Sequence, residues 1–595
     1  MSLHEQGALE DAARLFEAIL KIERGHAAAL CYLGRIRIQQ GKFEEAVDLL
    51  RKAINRNPKY ADAHNLLGAG FRLLGRMDKA VLQFQKAVRF EPNQALAHAN
   101  LGSALLSMGR TDEAIISLRR SVELRSEDPL PRWQLCMAHL PIIYRSEEEI
   151  GQRRSDYARE LGQLAQDYRA MDRGRLAQAA AVVGASQPFH LTNQGRNDRE
   201  LQAIYGDMVA SITAARYPKL TERPPMPSLS TSSIRIGILS GFFREHSVWK
   251  LYIRGWLADL PRDRFEIFAY YTQGIVDRDT EVARTRVSKF TQGPQSFDSW
   301  CDVIRADNLH ILYIPETGMD PTTLKLAALR LAPVQVVSWG HPNTSGLPTI
   351  DYFLSSDFME AVDAQTHYTE KLVRLPNIGV RYTPLDIPEL RLTRTDLRLP
   401  ENGVLYWCCQ TLHKYLPQHD WIFPEIARSV PDAWFVFVHH PNKSITAIFR
   451  ERIHKAFADR GMEIDRHCRF LERLDAARFS AVGAKSDIFL DNPGWSGCTS
   501  TLEALATNLP IATHRGEMMR ARHSSAFLEM MGLDDLVTNT VEELVAFAIR
   551  LGRDAELRSF LRKRIVENKM RIYEDNTVIP AVEQFIEAAV RTAPT

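Results

Sequence analysis

The chain of 595 residues is poor in cysteine: seven in all, an odd number, with no Cys-x-x-Cys pair. That argues against both a disulfide framework and a cysteine zinc site, and fits a reduced, cytoplasmic setting. No stretch of eighteen consecutive apolar residues occurs, so no membrane-spanning helix is expected. The opening MSLHEQGALEDAAR has no apolar signal segment. Excess charge is missing too, with 75 Lys and Arg against 73 Asp and Glu. Nothing electrostatic therefore points to nucleic acid or to an anionic membrane as a partner. There is no HExxH motif and no Cys/His cluster, and no metal site is expected.

What the chain does have is a period. Gly7, Gly41, Gly75 and Gly109 stand 34 residues apart, as do Ala12, Ala46, Ala80 and Ala114. Leu33-Gly34, Leu67-Gly68 and Leu101-Gly102 keep the same step, and so do Pro58 and Pro92. A 34-residue period with small residues at fixed places reads as tetratricopeptide repeats, paired helices that stack into an array with a concave face for another polypeptide. The glycine series predicts a turn between the two helices of a repeat, at Gly7 as at the others, so the first repeat lacks its opening helix. A degenerate fourth repeat begins near Trp133 and Leu135. The array is assigned to 1–143. A helical connector and proline-rich linker (Arg223 to Ser228) follow over 144–233, with the helical part expected to pack on the last repeat.

Beyond Ser233 the period disappears. Short β-rich runs alternate with helical segments: IRIGILS at 234, FEIFAYY at 265, LHILYI at 309, VQVVSW at 334 and IDYFLSS at 350. A second series starts with GVLYWCC at 403 and continues through WFVFVHH, CRFLERL, SDIFLD, PIATHR and DLVTN. Apolar strands alternating with helices predict parallel sheets covered on both faces. A polar break near 385–402 separates two doubly wound lobes, 234–388 and 399–595. The fold class is thus an all-α repeat solenoid followed by an α/β pair of Rossmann-like lobes. Such lobes bind ligands at the carboxyl ends of their strands, a geometry shared by GT-B glycosyltransferases and some sugar-nucleotide epimerases.

The most informative stretch is DNPGWSGCTSTLEAL, Asp491 to Leu505. A strand ends, a glycine-bearing loop follows, and Thr499-Ser500-Thr501 open a helix carrying Glu503. Free amides and hydroxyls at a helix start suit a diphosphate, and a carboxylate one turn in can accept from ribose hydroxyls. An ordinary Ser/Thr cap explains the same residues; the strand–loop–helix context favours the nucleotide. Lys414 follows a strand of the same lobe and can neutralise a departing diphosphate. In the first lobe His246 lies in the loop after the first strand, where a histidine can act as base or hydrogen-bond partner. His310 opens a strand. WGHPNTSG, 339–346, is a glycine-flanked turn suited to close approach by a sugar. Asp277-Arg278-Asp279 resembles a metal-binding DxD but sits in a polar stretch before a helix.

The linked strings GFFREHSV, RLAPVQVVSWGHPNTSG, CCQTLHKYLP, FLDNPGWSGCTSTLEAL and THRGEMMRAR, together with the repeats, resemble glycosyltransferase family 41, the O-GlcNAc transferase family, in its bacterial form. That resemblance implies an inverting, metal-independent transfer of a sugar from a UDP-sugar co-substrate to Ser or Thr of proteins recruited by the repeats. No other cofactor is implied, and the resemblance leaves room for a homo-oligomer. By motif, His246 and His310 match the family's two histidines and Lys414 its diphosphate-contacting lysine. Cys498, Thr499 and Ser500 stand where the family often has His-Thr-Thr, and Glu503 where it has a ribose-binding acid. Phe479 falls where animal members place a histidine near the uracil. Gln410 and Leu474 complete the expected nucleotide set. Relatives of this fold also use UDP-glucose, GDP-fucose or flagellin-modifying sugars. A repeat scaffold with inactive lobes, and an epimerase that leaves the repeats idle, are the rival readings.

Overall fold

A computed structural model describes residues 3–228, 233–384 and 391–593, so the expected break at 385–402 lies partly outside the described residues. The fold divides into two compact units, one ending at Pro141 and one beginning at Ile142.

The first unit is entirely helical: α1 (Leu3–Ile22), α2 (Ala27–Gln39), α3 (Phe43–Arg56), α4 (Ala61–Leu73), α5 (Met77–Phe90), α6 (Ala95–Ser107), α7 (Thr111–Leu124) and α8 (Pro129–Ala138). The period has a steric cause. A Cβ on Gly34, Gly68 or Gly102 would come within 2.7, 2.6 and 2.5 Å of Leu50, Phe84 and Leu118, so only glycine lets the two helices of a pair approach this closely. Ala46, Ala80 and Ala114 are fully buried. Gly41, Gly75 and Gly109 turn the chain with φ of 77°, 70° and 72°. Gly7 does not. It lies inside α1, because residues 3–6 continue the helix and leave no turn that needs a left-handed residue.

The second unit begins with the connector, α9 (Glu147–Arg169), α10 (Arg173–Ala179) and α11 (Arg199–Arg216). The expected helical connector clusters with the α/β lobes. The reason is a buried polar knot. Asp198 accepts from Arg154 at 2.8 Å, from Asn343 of the first lobe at 3.1 Å and from Arg520 of the second at 3.4 Å. Gly206 of α11 meets Gly346 so closely that a Cβ would lie 2.0 Å from its carbonyl oxygen. The proline-rich linker is also fixed, since Arg223 and Arg330 both bind the Asp351 carboxylate.

The first lobe holds a seven-stranded parallel sheet: β1 (Ile234–Ser240), β2 (Phe265–Tyr271), β3 (Lys289–Gln292), β4 (Ile311–Ile314), β5 (Val334–Ser338), β6 (Tyr352–Ser356) and β7 (Lys371–Leu375), in the order β3-β2-β1-β4-β5-β6-β7. The second holds six parallel strands: β8 (Val404–Trp407), β9 (Ala433–Val438), β10 (Cys468–Leu471), β11 (Ile488–Leu490), β12 (Ile511–His514) and β13 (Val537–Thr538), in the order β10-β9-β8-β11-β12-β13. The central strands are buried on both faces, which is why they read as continuous apolar runs. Both sheets reverse their winding, at β1/β4 and at β8/β11, and a crevice opens at such a switch point. The last helix, Val578–Thr592, leaves the second lobe for the first: Glu583 pairs with Arg264 there, and Phe585 meets Tyr352 edge to face. No helix of the described residues is long and apolar enough to cross a membrane.

Candidate active site

A cavity of about 520 Å³ opens at the carboxyl ends of β1, β5, β8 and β11, walled by both lobes. From the second lobe come Cys409, Gln410, His413, Lys414, Trp495, Cys498, Thr499, Ser500, Glu503 and His523; from the first, His246, Ser247, Tyr252, Met319 and the Trp339–Pro342 turn.

The loop after β11 is shaped by one carboxylate. Asp491 accepts from the Gly497 amide at 2.8 Å and from the hydroxyls of Ser496 and Thr513 at 2.7 Å each. Gly497 must be glycine, because a Cβ would lie 2.3 Å from the Thr501 hydroxyl and 2.5 Å from the Gln410 amide nitrogen. The helix Thr499–Ala506 then begins at Cys498 without a side-chain cap. Elsewhere Ser146, Asp320, Asp475, Thr540 and Asp554 cap their helices by accepting an amide. The start of Thr499–Ala506, uncapped like those of Ile422–Ser429 and His523–Met530, opens onto the cavity, an arrangement that can receive an anion. Gln410 donates to the Ser500 hydroxyl at 2.7 Å, tying the β8 loop to that helix.

Lys414 places its ammonium 4.5 Å from the Trp495 ring centroid and makes no ion pair with a carboxylate among the described residues. Burial lowers its pKa to about 8, with Cys498 and Asp491 acting in the opposite sense. Burial raises Glu503 to about 7 against the pull of Lys250, and raises the Cys498 thiol to about 12. Thr499 donates to Ser247 at 3.2 Å, a hydroxyl contact between the two lobes at the mouth of the cavity.

The first-lobe wall is neutral by construction. His246 stacks on Phe242 with ring centroids 4.0 Å apart, and its Nδ1 accepts the Val248 amide hydrogen at 3.2 Å. Burial, with Arg244 and Lys250 nearby, lowers its pKa to about 4. The neutral ring therefore carries its proton on Nε2 and is a hydrogen-bond donor there. Its loop hangs on the helix that follows β2, Arg278–Arg284. Asp277 accepts the Glu245 amide at 2.7 Å while Thr280 donates to the Phe243 carbonyl at 2.7 Å. The Asp277-Arg278-Asp279 triplet is thus a helix cap: Asp277 accepts from the Thr280 amide at 3.0 Å in a capping box. Burial likewise lowers His341 to about 4 and, across the cavity, His523 of the second lobe to about 3. His341 Nε2, His413 Nδ1 and His523 Nδ1 are buried ring nitrogens without a protein partner. His523 stacks on Trp339 at 5.3 Å. Unpaired nitrogens on neutral rings beside aromatic faces suit a ligand rich in hydroxyls.

Of the expected site residues, His246, Lys414, Gln410, Cys498, Thr499, Ser500 and Glu503 come together on this cavity. His310, Leu474 and Phe479 do not line it. His310 precedes β4, at the end of the sheet opposite the cleft, and is consumed structurally: it is fully buried and its Nδ1 accepts the Arg235 amide at 2.9 Å. Phe479 packs on Trp407 with centroids 5.2 Å apart, and Leu474 lies between β10 and the helix Ala476–Lys485. Sequence reasoning missed Met319, Tyr252 and His523, which lie outside the quoted strings, and His413, which lies inside CCQTLHKYLP but was not singled out. Their signal was position alone, just after a predicted strand for Met319 and beside Lys414 for His413.

Comparison with known proteins follows the same lines. Three tetratricopeptide-repeat models match residues 3–69, 70–109 and 95–128. A structure of a mutant of Thermobaculum terrenum O-GlcNAc transferase superposes with a TM-score of 0.66 over 95% of this chain and 96% of that one, at 23% identity, and so shares the fold. The chain is 27% identical over 390 residues to the probable UDP-N-acetylglucosamine–peptide N-acetylglucosaminyltransferase SPINDLY of Solanum lycopersicum, covering 63% of this chain and 40% of that protein. It is 24% identical over 345 residues to the UDP-glucose:protein N-beta-glucosyltransferase of Actinobacillus pleuropneumoniae, covering 56% of this chain and 53% of the other. The matched region thus spans about two-fifths to a half of these relatives. The model of glycosyl transferase family 41 matches residues 216–380 and 386–577, more than half of the chain and every wall of the cavity except Phe189. With two doubly wound lobes, an uncapped helix facing a lysine, and repeats ahead of them, this chain belongs to glycosyl transferase family 41.

Proposed function

We propose that the chain is an inverting protein O-glycosyltransferase, moving GlcNAc from UDP-GlcNAc to Ser or Thr of polypeptides held by the repeats. One observation carries the reading: Lys414 and the uncapped start of the Thr499–Ala506 helix share the cavity with no carboxylate paired to the lysine. The diphosphate lies against that pair, with Glu503 accepting from ribose hydroxyls and the sugar against Trp339, His341 and His523. GlcNAc is chosen because the plant relatives are named for that donor.

The acceptor oxygen attacks the anomeric carbon from the face opposite the diphosphate. The bond between that carbon and the diphosphate oxygen breaks, and its electron pair leaves with UDP. Lys414 and the helix amides neutralise the charge as it develops, which a preorganised site does without reorganisation. In this role they take the place of a divalent cation. His246 Nε2 already bears a proton and its Nδ1 is engaged, so His246 orients a hydroxyl or phosphate oxygen by donation. The acceptor proton goes to a diphosphate oxygen.

The test is a thermal-shift panel with UDP, GDP, UDP-GlcNAc, UDP-glucose and GDP-fucose, followed by peptide glycosylation with the stabilising donor. Stabilisation by UDP and UDP-GlcNAc, by mass action on the native state, is expected. A shift with GDP-fucose or UDP-glucose alone would replace the donor. No shift with any of them, or binding without turnover, would leave a non-catalytic repeat scaffold.

A further inference from the structure

We propose that a second cavity, enclosed by α10, the end of α11 and the helix Pro321–Ala327, binds a small organic carboxylate with an apolar body. It has a volume of about 350 Å³ and shares no residue with the donor cavity. That volume is within the range of small-molecule sites.

Its walls sort by chemistry. One side is apolar, built from Ala177, Ala181 and Val183. A second is aromatic, with Tyr217 and Phe297 ring centroids 5.0 Å apart at 48°. The third is cationic. Lys325 lines this cavity, its amine without a hydrogen bond or ion pair among the described residues, and burial lowers its pKa. Arg216 lies over the Tyr217 ring at 5.4 Å, exposed and with no carboxylate partner. No Asp or Glu lines the cavity; the nearby Asp298 is engaged by the Tyr217 hydroxyl.

A half-buried ammonium without a counter-ion is unfavourable, and an entering carboxylate relieves it. The apolar and aromatic walls then select an organic body over a bare inorganic anion. Coupling to the donor cleft is short in sequence. The helix carrying Lys325 begins two residues after Met319, a wall of the donor cavity, and its cap Asp320 accepts from Gln273 at 2.6 Å. Gly184, next in the chain after Val183 of the cavity wall, packs on Pro321 so tightly that a Cβ would lie 2.9 Å from its carbonyl oxygen.

The probe is 4-fluorophenylacetate, followed by fluorine NMR on the full chain with and without saturating UDP. Binding is expected in both conditions and is weakened about ten-fold by Lys325→Gln, the scale of one charge-assisted hydrogen bond. Arg216→Gln is expected to weaken it less, as the arginine is exposed. Unchanged melting and an unchanged UDP shift show that each variant is folded. Four results would overturn the proposal: competition by UDP, which puts the probe in the donor cleft; equal binding of neutral 4-fluorobenzyl alcohol; insensitivity to Lys325→Gln; or no binding up to about 10 mM, weaker than any useful site.

Discussion

The two lobes share a winding but not a chemistry. In each, the chain winds outward in both directions from the first strand, through β2 and β4 on either side of β1 and through β9 and β11 on either side of β8, and the crevice opens at that reversal. In the second lobe the crevice receives an ammonium, a titratable carboxylate and an uncapped helix start. In the first it receives the rings of His246 and His341, held neutral by burial, and the indole of Trp339, on which His523 of the second lobe stacks. The topology therefore fixes where a ligand sits, and the loops decide which end of it each lobe holds. On the proposed reading the charged leaving group faces the second lobe, and the neutral, hydroxyl-bearing sugar lies against Trp339 and His341 of the first with His523 of the second.

The division can be broken most severely on the charged side. Lys414→Ala is expected to lower turnover by about 100- to 1,000-fold, the worth of a preorganised charge donor, with melting nearly unchanged. Steady-state kinetics and a thermal melt check both halves, and unchanged turnover would remove the lysine from the reaction. On the neutral side the largest effect is indirect. Asp277→Ala releases the loop that carries His246 and should reduce kcat/KM by about ten-fold, with roughly 1 kcal/mol of stability lost with the cap. Asp277→Asn, which keeps one acceptor, should recover part of each.

A finer test separates donation from proton abstraction at His246. If the neutral ring donates from Nε2, His246→Gln should retain several-fold more activity than His246→Ala, since glutamine also presents a donor. Equal losses would return the histidine to the role of base. The smallest effect lies in the pH profile. Lys414 is protonated below about 8 and Glu503 ionised above about 7. The free enzyme has both charges mainly between these values, so kcat/KM should be bell-shaped with limbs there. Bound diphosphate favours the charged lysine, so the alkaline limb should move up in kcat. Limbs set by His246 would instead appear near 4.

Legibility in the sequence followed the same physical line. Strands buried on two faces announce themselves as apolar runs, and every run read from the sequence is a strand in the fold. The two missed strands, β3 and β7, are the edges of the first sheet, where Lys289, Thr291 and Gln292 or Lys371 and Arg374 interrupt the apolar pattern. The repeats were legible because close helix packing demands glycine at a fixed step; Gly7 shows that the step alone does not make a turn. At the cavity, residues joined to a glycine loop and a helix start were readable as a group. His310, Leu474 and Phe479 were placed by resemblance; local contacts hold His310 and Phe479 elsewhere, and Leu474 lies in the loop after β10. The connector's attachment was illegible, since Asp198, Asn343 and Arg520 are far apart in the chain and have no common pattern.

That last knot bears on where this protein can be cut and joined. The proline-rich stretch at Arg223–Ser228 looks like a seam, yet a fragment starting after it would strip Arg520 and Asn343 of their shared carboxylate. Arg223 would also be missing from Asp351. An uncompensated buried charge of this kind costs about 3–5 kcal/mol, a large part of a domain's stability. The smallest inheritable piece is therefore the lobes with their connector. Recombination that exchanges one repeat array for another has its natural junction at Pro141–Ile142, the boundary between the two compact units.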